Sequence, residues 1–238
     1  MNVNKLSMRL QAVASYIGQD AVLADIGSDH AYLPAHLALD GRIRKGIAGE
    51  VARGPYESAM ATIREAGLDG KVEARLADGL AAIREEDGVD TVAIAGMGGP
   101  LIASILEDGK GHLKNVSRLV LQPNIHALAI RSWAVENGWH IVEEEILEED
   151  RKIYEILVLE RGSASYDDLE LRFGPILSER QPVTFRQKWE HEAASLQKIL
   201  ERIKEASPSS ERDAKEEELK RSLGQILEVL ENGEDNRQ

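Results

Sequence analysis

Between residues 21 and 161 the chain alternates short apolar, β-branched runs with amphipathic stretches, the pattern of strands joined by crossover helices. The runs fall at 21–27, 46–51, 72–77, 90–95 and 118–121, and helices are predicted over 31–39, 55–65, 80–85, 100–107 and 127–136. Five strands connected this way form a parallel sheet covered on both faces. Two further runs, 139–146 and 153–159, are separated only by a short polar turn. No helix fits between them, so they pair as an antiparallel hairpin. The expected fold class is therefore α/β, a parallel sheet finished by an antiparallel hairpin. Ahead of the first strand, Leu6, Leu10, Val13, Ala14 and Ile17 recur at helical spacing and predict an amphipathic opening helix.

After Gly162 the strand pattern stops. Phe185, Trp189, Leu196, Leu200 and Ile203 follow one heptad-like seam, and Leu219, Leu223, Ile226, Leu227 and Leu230 a second. Ser207-Pro208-Ser209-Ser210 separates them, with Ser210 and Asp213 spaced as a capping box. The expectation is an antiparallel helical hairpin or coiled coil over 163–238, frayed from residue 232, attached to a domain of residues 1–162.

The longest apolar runs fall far short of the ~20 residues a membrane span requires, and no membrane partner is expected. The chain has no cysteine, which excludes disulfides, thiolate zinc sites and a cysteine nucleophile, and fits a cytoplasmic protein. Its formal net charge of -13 argues against global attraction to a polyanion. Any nucleic-acid contact must rest on a local basic face. Candidates are Lys5 and Arg9 on the opening helix, and Arg172, Arg180, Arg186 and Lys188 at the start of the hairpin.

The chemistry concentrates where strands end. The first runs Leu23-Ala24-Asp25-Ile26-Gly27-Ser28-Asp29-His30-Ala31, an apolar strand meeting a glycine turn before a helix. In doubly wound sheets a nucleotide-like ligand lies at this turn. The dinucleotide fingerprint is missing, because Asp29 stands where its second glycine would fall. A carboxylate there repels a pyrophosphate but suits a ligand carrying an ammonium or sulfonium group, which points to S-adenosylmethionine. The competing reading of Asp29 is an N-cap for the following helix. Asp25 and Gly27 would build the turn itself. Glu50 ends the second strand, 25 residues after Asp25, where it could accept from ribose hydroxyls. Asp78 and Gly79 end the third strand, and that carboxylate could accept from an adenine amino group. The fourth strand runs into Gly96-Met97-Gly98-Gly99, whose glycines remove side chains where two reactants must meet. The fifth ends Leu121-Gln122-Pro123-Asn124, with amides at its tip.

These motifs, together with Tyr32-Leu33-Pro34 and Lys152-Ile153-Tyr154-Glu155, resemble the bacterial tRNA adenine-N1 methyltransferases that modify position 22 in the D-arm. The resemblance covers roughly residues 5–160 and extends to the C-terminal helical hairpin. It implies a Rossmann-like, seven-stranded class I methyltransferase core, S-adenosylmethionine as donor and tRNA as substrate. By position, Gly27, Glu50, Asp78 and Gly79 would line the cofactor, and 96–99, including Gly96, Met97 and Gly98, would border the reaction centre. Adenine N1 has an in-plane lone pair, so transfer needs alignment rather than a metal or a covalent nucleophile. Asp29 is the candidate for stabilising the positive charge left on the base. His30 or Tyr32 could stack on the target, and Asn124 could read its polar edge. The protein is expected to act as a monomer. Two rival readings share the fold: a class I methyltransferase for a small metabolite, and a non-catalytic RNA-binding scaffold.

Overall fold

The computed structural model describes residues 2–205 and 209–235. The chain divides into two compact units, Met1–Ser165 and Tyr166–Gln238.

The first unit holds one seven-stranded sheet in the order β3-β2-β1-β4-β5-β7-β6. Its strands are β1 (Ala21–Ile26), β2 (Ile43–Glu50), β3 (Val72–Leu76), β4 (Thr91–Met97), β5 (Arg118–Pro123), β6 (Trp139–Glu149) and β7 (Lys152–Arg161). The first five are parallel, and β7 pairs antiparallel with both β5 and β6. Every residue of β1 is buried, as expected for a central parallel strand covered on both faces. The sequence reading started β2 three residues late, because Arg44 and Lys45 interrupt its apolar pattern; the ladder to β1 begins at Ile43. The β6–β7 turn is shorter than read, only Asp150 and Arg151, both with positive φ (52° and 62°). That is the geometry a tight two-residue hairpin loop favours.

The helices of this unit are α1 (Met8–Ser15), α2 (Tyr32–Leu39), α3 (Arg53–Glu65), α4 (Gly99–Asp108) and α5 (Leu128–Glu136). Ser7 caps α1 by accepting from the Leu10 amide at 3.2 Å. Lys5 precedes that helix rather than lying on it. The helix predicted over 80–85 is instead two single 3₁₀ turns, Gly79–Ala82 and Glu85–Asp87. Arg75 and Lys45 tie the far end of this segment to the sheet through Asp87, Arg75 Nη1 at 2.5 Å and Lys45 Nζ at 2.9 Å.

The second unit contains α6 (Asp168–Phe173), α7 (Pro175–Arg180), α8 (Val183–Glu205) and α9 (Ser210–Asp235). The two short helices were not foreseen. A reciprocal capping box between Asp167 and Glu170, 2.8 Å in each direction, starts α6, and Gln181 in the left-handed region ends α7. Phe185, Trp189, Leu196 and Leu200 are buried on α8 as read. On α9, Leu219, Ile226 and Leu230 are buried, but Val229 replaces the exposed Leu227. The α9 cap is Ser209, whose Oγ accepts from the Arg212 amide at 3.1 Å, one residue before the predicted box. Ser207 and Pro208 lie outside the described residues. Helix α9 continues to Asp235, past the expected fraying point, and 236–238 lie outside the description.

Candidate functional site

Strand order reverses between β1 and β4, and at such a switch point the crossovers leave to opposite sides and open a crevice at the strand C-termini. A cavity of about 200 Å³ lies there, lined by Asp25, Gly27, Ser28 and Asp29 from one side, Ala95, Gly96 and Met97 from the other, and Arg9 and Leu10 from α1. It brings together six of the residues singled out from sequence: the cofactor-site candidates Asp25, Gly27, Asp29, Gly96 and Met97, and Arg9 from the basic-face set.

The turn after β1 is unusual in its backbone. Asp29, His30 and Ala31 have φ of 42°, 69° and 55°, three consecutive non-glycine residues in the left-handed region. Such residues are held there only when their surroundings over-determine them. Glu50 supplies one restraint: it is 5% exposed, and its Oε1 accepts from the Asp29 amide at 2.5 Å. Burial pushes the Glu50 carboxyl above its ordinary pKa. Helix α2 begins at Tyr32 with Ala31 as N-cap and no side-chain cap, which removes the helix-capping reading of Asp29. The Asp29 side chain is instead 76% exposed, 3.5 Å from His30 Nε2. His30 and Tyr32 stack with ring centroids 5.2 Å apart and planes 15° from parallel.

Asp25 is the buried acid of the turn. Desolvation raises its pKa to about 7, against the opposing hydrogen bond that Ser28 Oγ donates to Asp25 Oδ2 at 2.5 Å. The neighbouring negative charges of Glu50 and Asp29 push in the same direction as burial.

Gln122, fully buried, organises the other wall. Its Oε1 accepts from the Gly96 amide at 2.9 Å and from Arg9 Nη1, and its Nε2 donates to the Pro123 carbonyl at 2.8 Å. Asn124 donates through Nδ2 to the Gly96 carbonyl at 2.8 Å, so part of its amide is spent tying β5 to β4. Gly27 and Gly96 both have positive φ, 70° and 80°. Gly99 has another reason to be glycine: a Cβ there would lie 2.0 Å from the backbone oxygen of His126. It belongs to the packing of α4 against the loop after β5, not to the cavity. Gly98 is the N-cap of α4 beside the cavity. Asp78 is exposed at the tip of β3, and Gly79 packs against Ile105; neither lines the cavity. Sequence reasoning placed Arg9 on a general basic face and passed over Ser28 and Gln122 as site residues. No local pattern marks them, since Arg9 and Gln122 are 113 positions apart.

Among the described residues there is no group of three or more His, Asp or Glu side chains placed to hold a metal ion. No helix among them is long and apolar enough to cross a membrane.

A seven-stranded sheet of this order, with acids and glycines gathered at its switch point, defines a Rossmann-like class I methyltransferase core. The chain belongs to the tRNA (adenine(22)-N(1))-methyltransferase family, whose model matches residues 23–228. It is 44% identical to the Bacillus subtilis tRNA (adenine(22)-N(1))-methyltransferase over 98% of this chain and 100% of that protein. A Streptococcus pneumoniae protein solved in complex with S-adenosyl-L-methionine is 46% identical, with a TM-score of 0.87 over 95% of this chain and 100% of that one. A relative from M. capricolum, solved with S-adenosyl-homocysteine, is 27% identical with a TM-score of 0.85 over 95% of this chain and 98% of that one.

Proposed function

We propose that this protein transfers the methyl group of S-adenosylmethionine to N1 of the adenine at position 22 in the D-arm of bacterial tRNA. The observation that carries this reading is the family match over 23–228, which includes every strand tip of the cleft. The donor set fits the cofactor's chemistry. Asp25 and Glu50 are buried acids at adjacent strand tips, and the positive-φ glycines Gly27 and Gly96 keep the crevice open. In this reading Asp25, Gly27, Glu50, Asp78, Gly79, Gly96, Met97 and Gly98 surround the cofactor, with Glu50 accepting from the ribose while it steadies the Asp29 loop. A cation beside Asp25 would draw its carboxyl into the charged form. When bound, S-adenosylmethionine supplies an already activated methyl group.

The chain's own work is then to orient and to stabilise charge. Adenine N1 attacks through its in-plane lone pair and needs no general base, so rate comes from alignment. Asp29 places an exposed negative charge at the mouth of the cleft, where it favours the cationic base formed in the transfer. The stacked His30–Tyr32 pair offers a flat surface to a base extruded from the D-arm, and Asn124 offers polar contacts beside it. Residues 1–162 act as the methyltransferase domain and 163–238 as a tRNA-binding extension. In this reading the protein acts as a monomer, and its tRNA substrate supports a cytoplasmic setting.

The test is incubation with labelled S-adenosylmethionine and unmodified tRNA, followed by mapping of the methylated nucleoside. The expected product is 1-methyladenosine at position 22. Asp29→Asn keeps a residue tolerant of positive φ. It should lower turnover by about tenfold or more while leaving the melting temperature nearly unchanged. Methylation of another position, or full activity of the variant, would refute the assignment.

A further inference from the structure

Strand β4 ends in a β-bulge. In its ladder to β5, Ala95 pairs with Gln122 and Met97 with Pro123, so Gly96 is an extra residue with no partner in register on the neighbouring strand. Its φ of 80° suits glycine, and both of its backbone polar groups have to be satisfied off the ladder. Two side-chain amides do this. Gln122 Oε1 accepts from the Gly96 N–H at 2.9 Å, and Asn124 Nδ2 donates to the Gly96 carbonyl at 2.8 Å. Gln122 is fully buried and has no capacity to spare. Its Oε1 also accepts from Arg9 Nη1, while Nε2 donates to the Pro123 carbonyl at 2.8 Å and to Asn124 Oδ1 at 3.4 Å, which uses both lone pairs and both N–H groups of the amide.

A bulge shifts the alternation of a strand by one residue, so it decides which way the next side chain points. Here that side chain is Met97, which reaches the turn after β1: a Cβ on Gly27 would stand 2.1 Å from Met97 Cε. In a regular ladder Gly96 would stand opposite Pro123, and Met97 would turn to the other face of the sheet. The Gly96–Met97 wall of the cavity is therefore set from β5 by Gln122, which does not line the cavity itself.

We propose that Gln122 is a positioning residue for methyl transfer, acting through the Gly96 bulge and Met97 to fix the wall against which donor and acceptor align. This rests on the methyltransferase reading above. Transfer to a ring nitrogen depends on alignment, and a misplacement of about 1 Å costs on the order of 100-fold in rate.

The experiment follows two quantities in the full-length protein: hydrogen exchange of the Gly96 amide by NMR, and the single-turnover rate of methyl transfer with S-adenosylmethionine and tRNA both saturating. Gln122→Met removes every one of these bonds at nearly the same side-chain length. It should speed Gly96 exchange by about tenfold or more relative to the amides of β1. Single turnover should slow by about tenfold or more, while S-adenosylmethionine affinity by calorimetry changes by less than about threefold. Gln122→Glu keeps the acceptor that faces Gly96, so it should keep that amide protected and transfer faster than Gln122→Met. Should Gln122→Met not fold, Gln122→Ser, which cannot reach Gly96 and leaves room for water, takes its place. A purely structural role would lower the melting temperature and leave the rate per folded molecule unchanged, and that result would overturn the proposal. So would Gly96 protection that survives Gln122→Met, or a Gln122→Glu protein no faster than Gln122→Met. A wild-type protein that transfers no methyl group would overturn the methyltransferase reading and this proposal with it, whereas an active wild type beside unaffected variants overturns this proposal alone.

Discussion

At neutral pH the Asp25 carboxyl is about half ionised, because burial lifts its pKa to about 7 from an ordinary value of 3.8. Between those two values the folded protein holds a proton that the unfolded chain has released, so this group makes stability fall as pH rises from about 4 to about 7. Above that range its unfavourable contribution is complete. Asp25→Asn removes the titration, and the variant should melt higher than the wild type at pH 8, with the gap closing by pH 5. A gap that does not depend on pH, measured by calorimetry on the cofactor-free protein, would place the cause elsewhere. The acids and glycines of the cleft were legible in sequence because each stands where an apolar run ends, and β1 and β4 carry those ends to one crevice. Arg9 and Gln122 were not, because their meaning lies in each other and their separation hides it.

Helix α5 is fastened to the β6–β7 hairpin by charge as well as by packing. Arg131 is fully buried and pairs with Glu144 at 2.7 Å and Glu155 at 2.6 Å, both buried. One guanidinium facing two carboxylates in a dry interior is held in place by the penalty for separating them. Arg131→Met should therefore destabilise the protein by about 3–5 kcal/mol by leaving two buried carboxylates unpaired. Adding Glu144→Gln and Glu155→Gln should restore most of that loss in denaturant melts, and a triple variant as unstable as the single one would show that shape, not charge, matters here. Glu155 was visible only as part of the Lys152-Ile153-Tyr154-Glu155 motif. Hydrophobic alternation located the hairpin correctly but could not distinguish a buried acid from a solvated one. The same limit concealed α6 and α7, whose six-residue lengths are too short to establish a period.

At the scale of the whole molecule, a chain of net charge -13 has to bind a polyanion through a restricted surface. Part of the basic cluster read from sequence is committed to the second unit's own structure. Arg172 bonds Gln225 and Ser222 and lies against the Phe173 ring, and Arg186 bonds Gln181 and the Leu230 carbonyl. Neutralising these two would disturb folding as well as charge, and Lys188 Nζ itself lies 4.5 Å from the centre of the Trp189 ring, so each charge-neutral variant is compared with the wild type in a thermal melt first. Removal of residues 166–238 should leave cofactor affinity within about twofold while reducing tRNA binding by about tenfold or more, and charge-neutral variants at 180 and 188 should flatten its salt dependence. Normal tRNA binding by the truncated protein would move the RNA surface to the first unit. The glycine loop after β4 carries a different kind of consequence. At position 98 an added Cβ meets nothing nearer than 4.0 Å, whereas at 99 it meets backbone at 2.0 Å. A saturation library sorted for folded protein should thus keep a broad set of residues at the first site and glycine alone at the second, an asymmetry between adjacent codons written by one carbonyl oxygen.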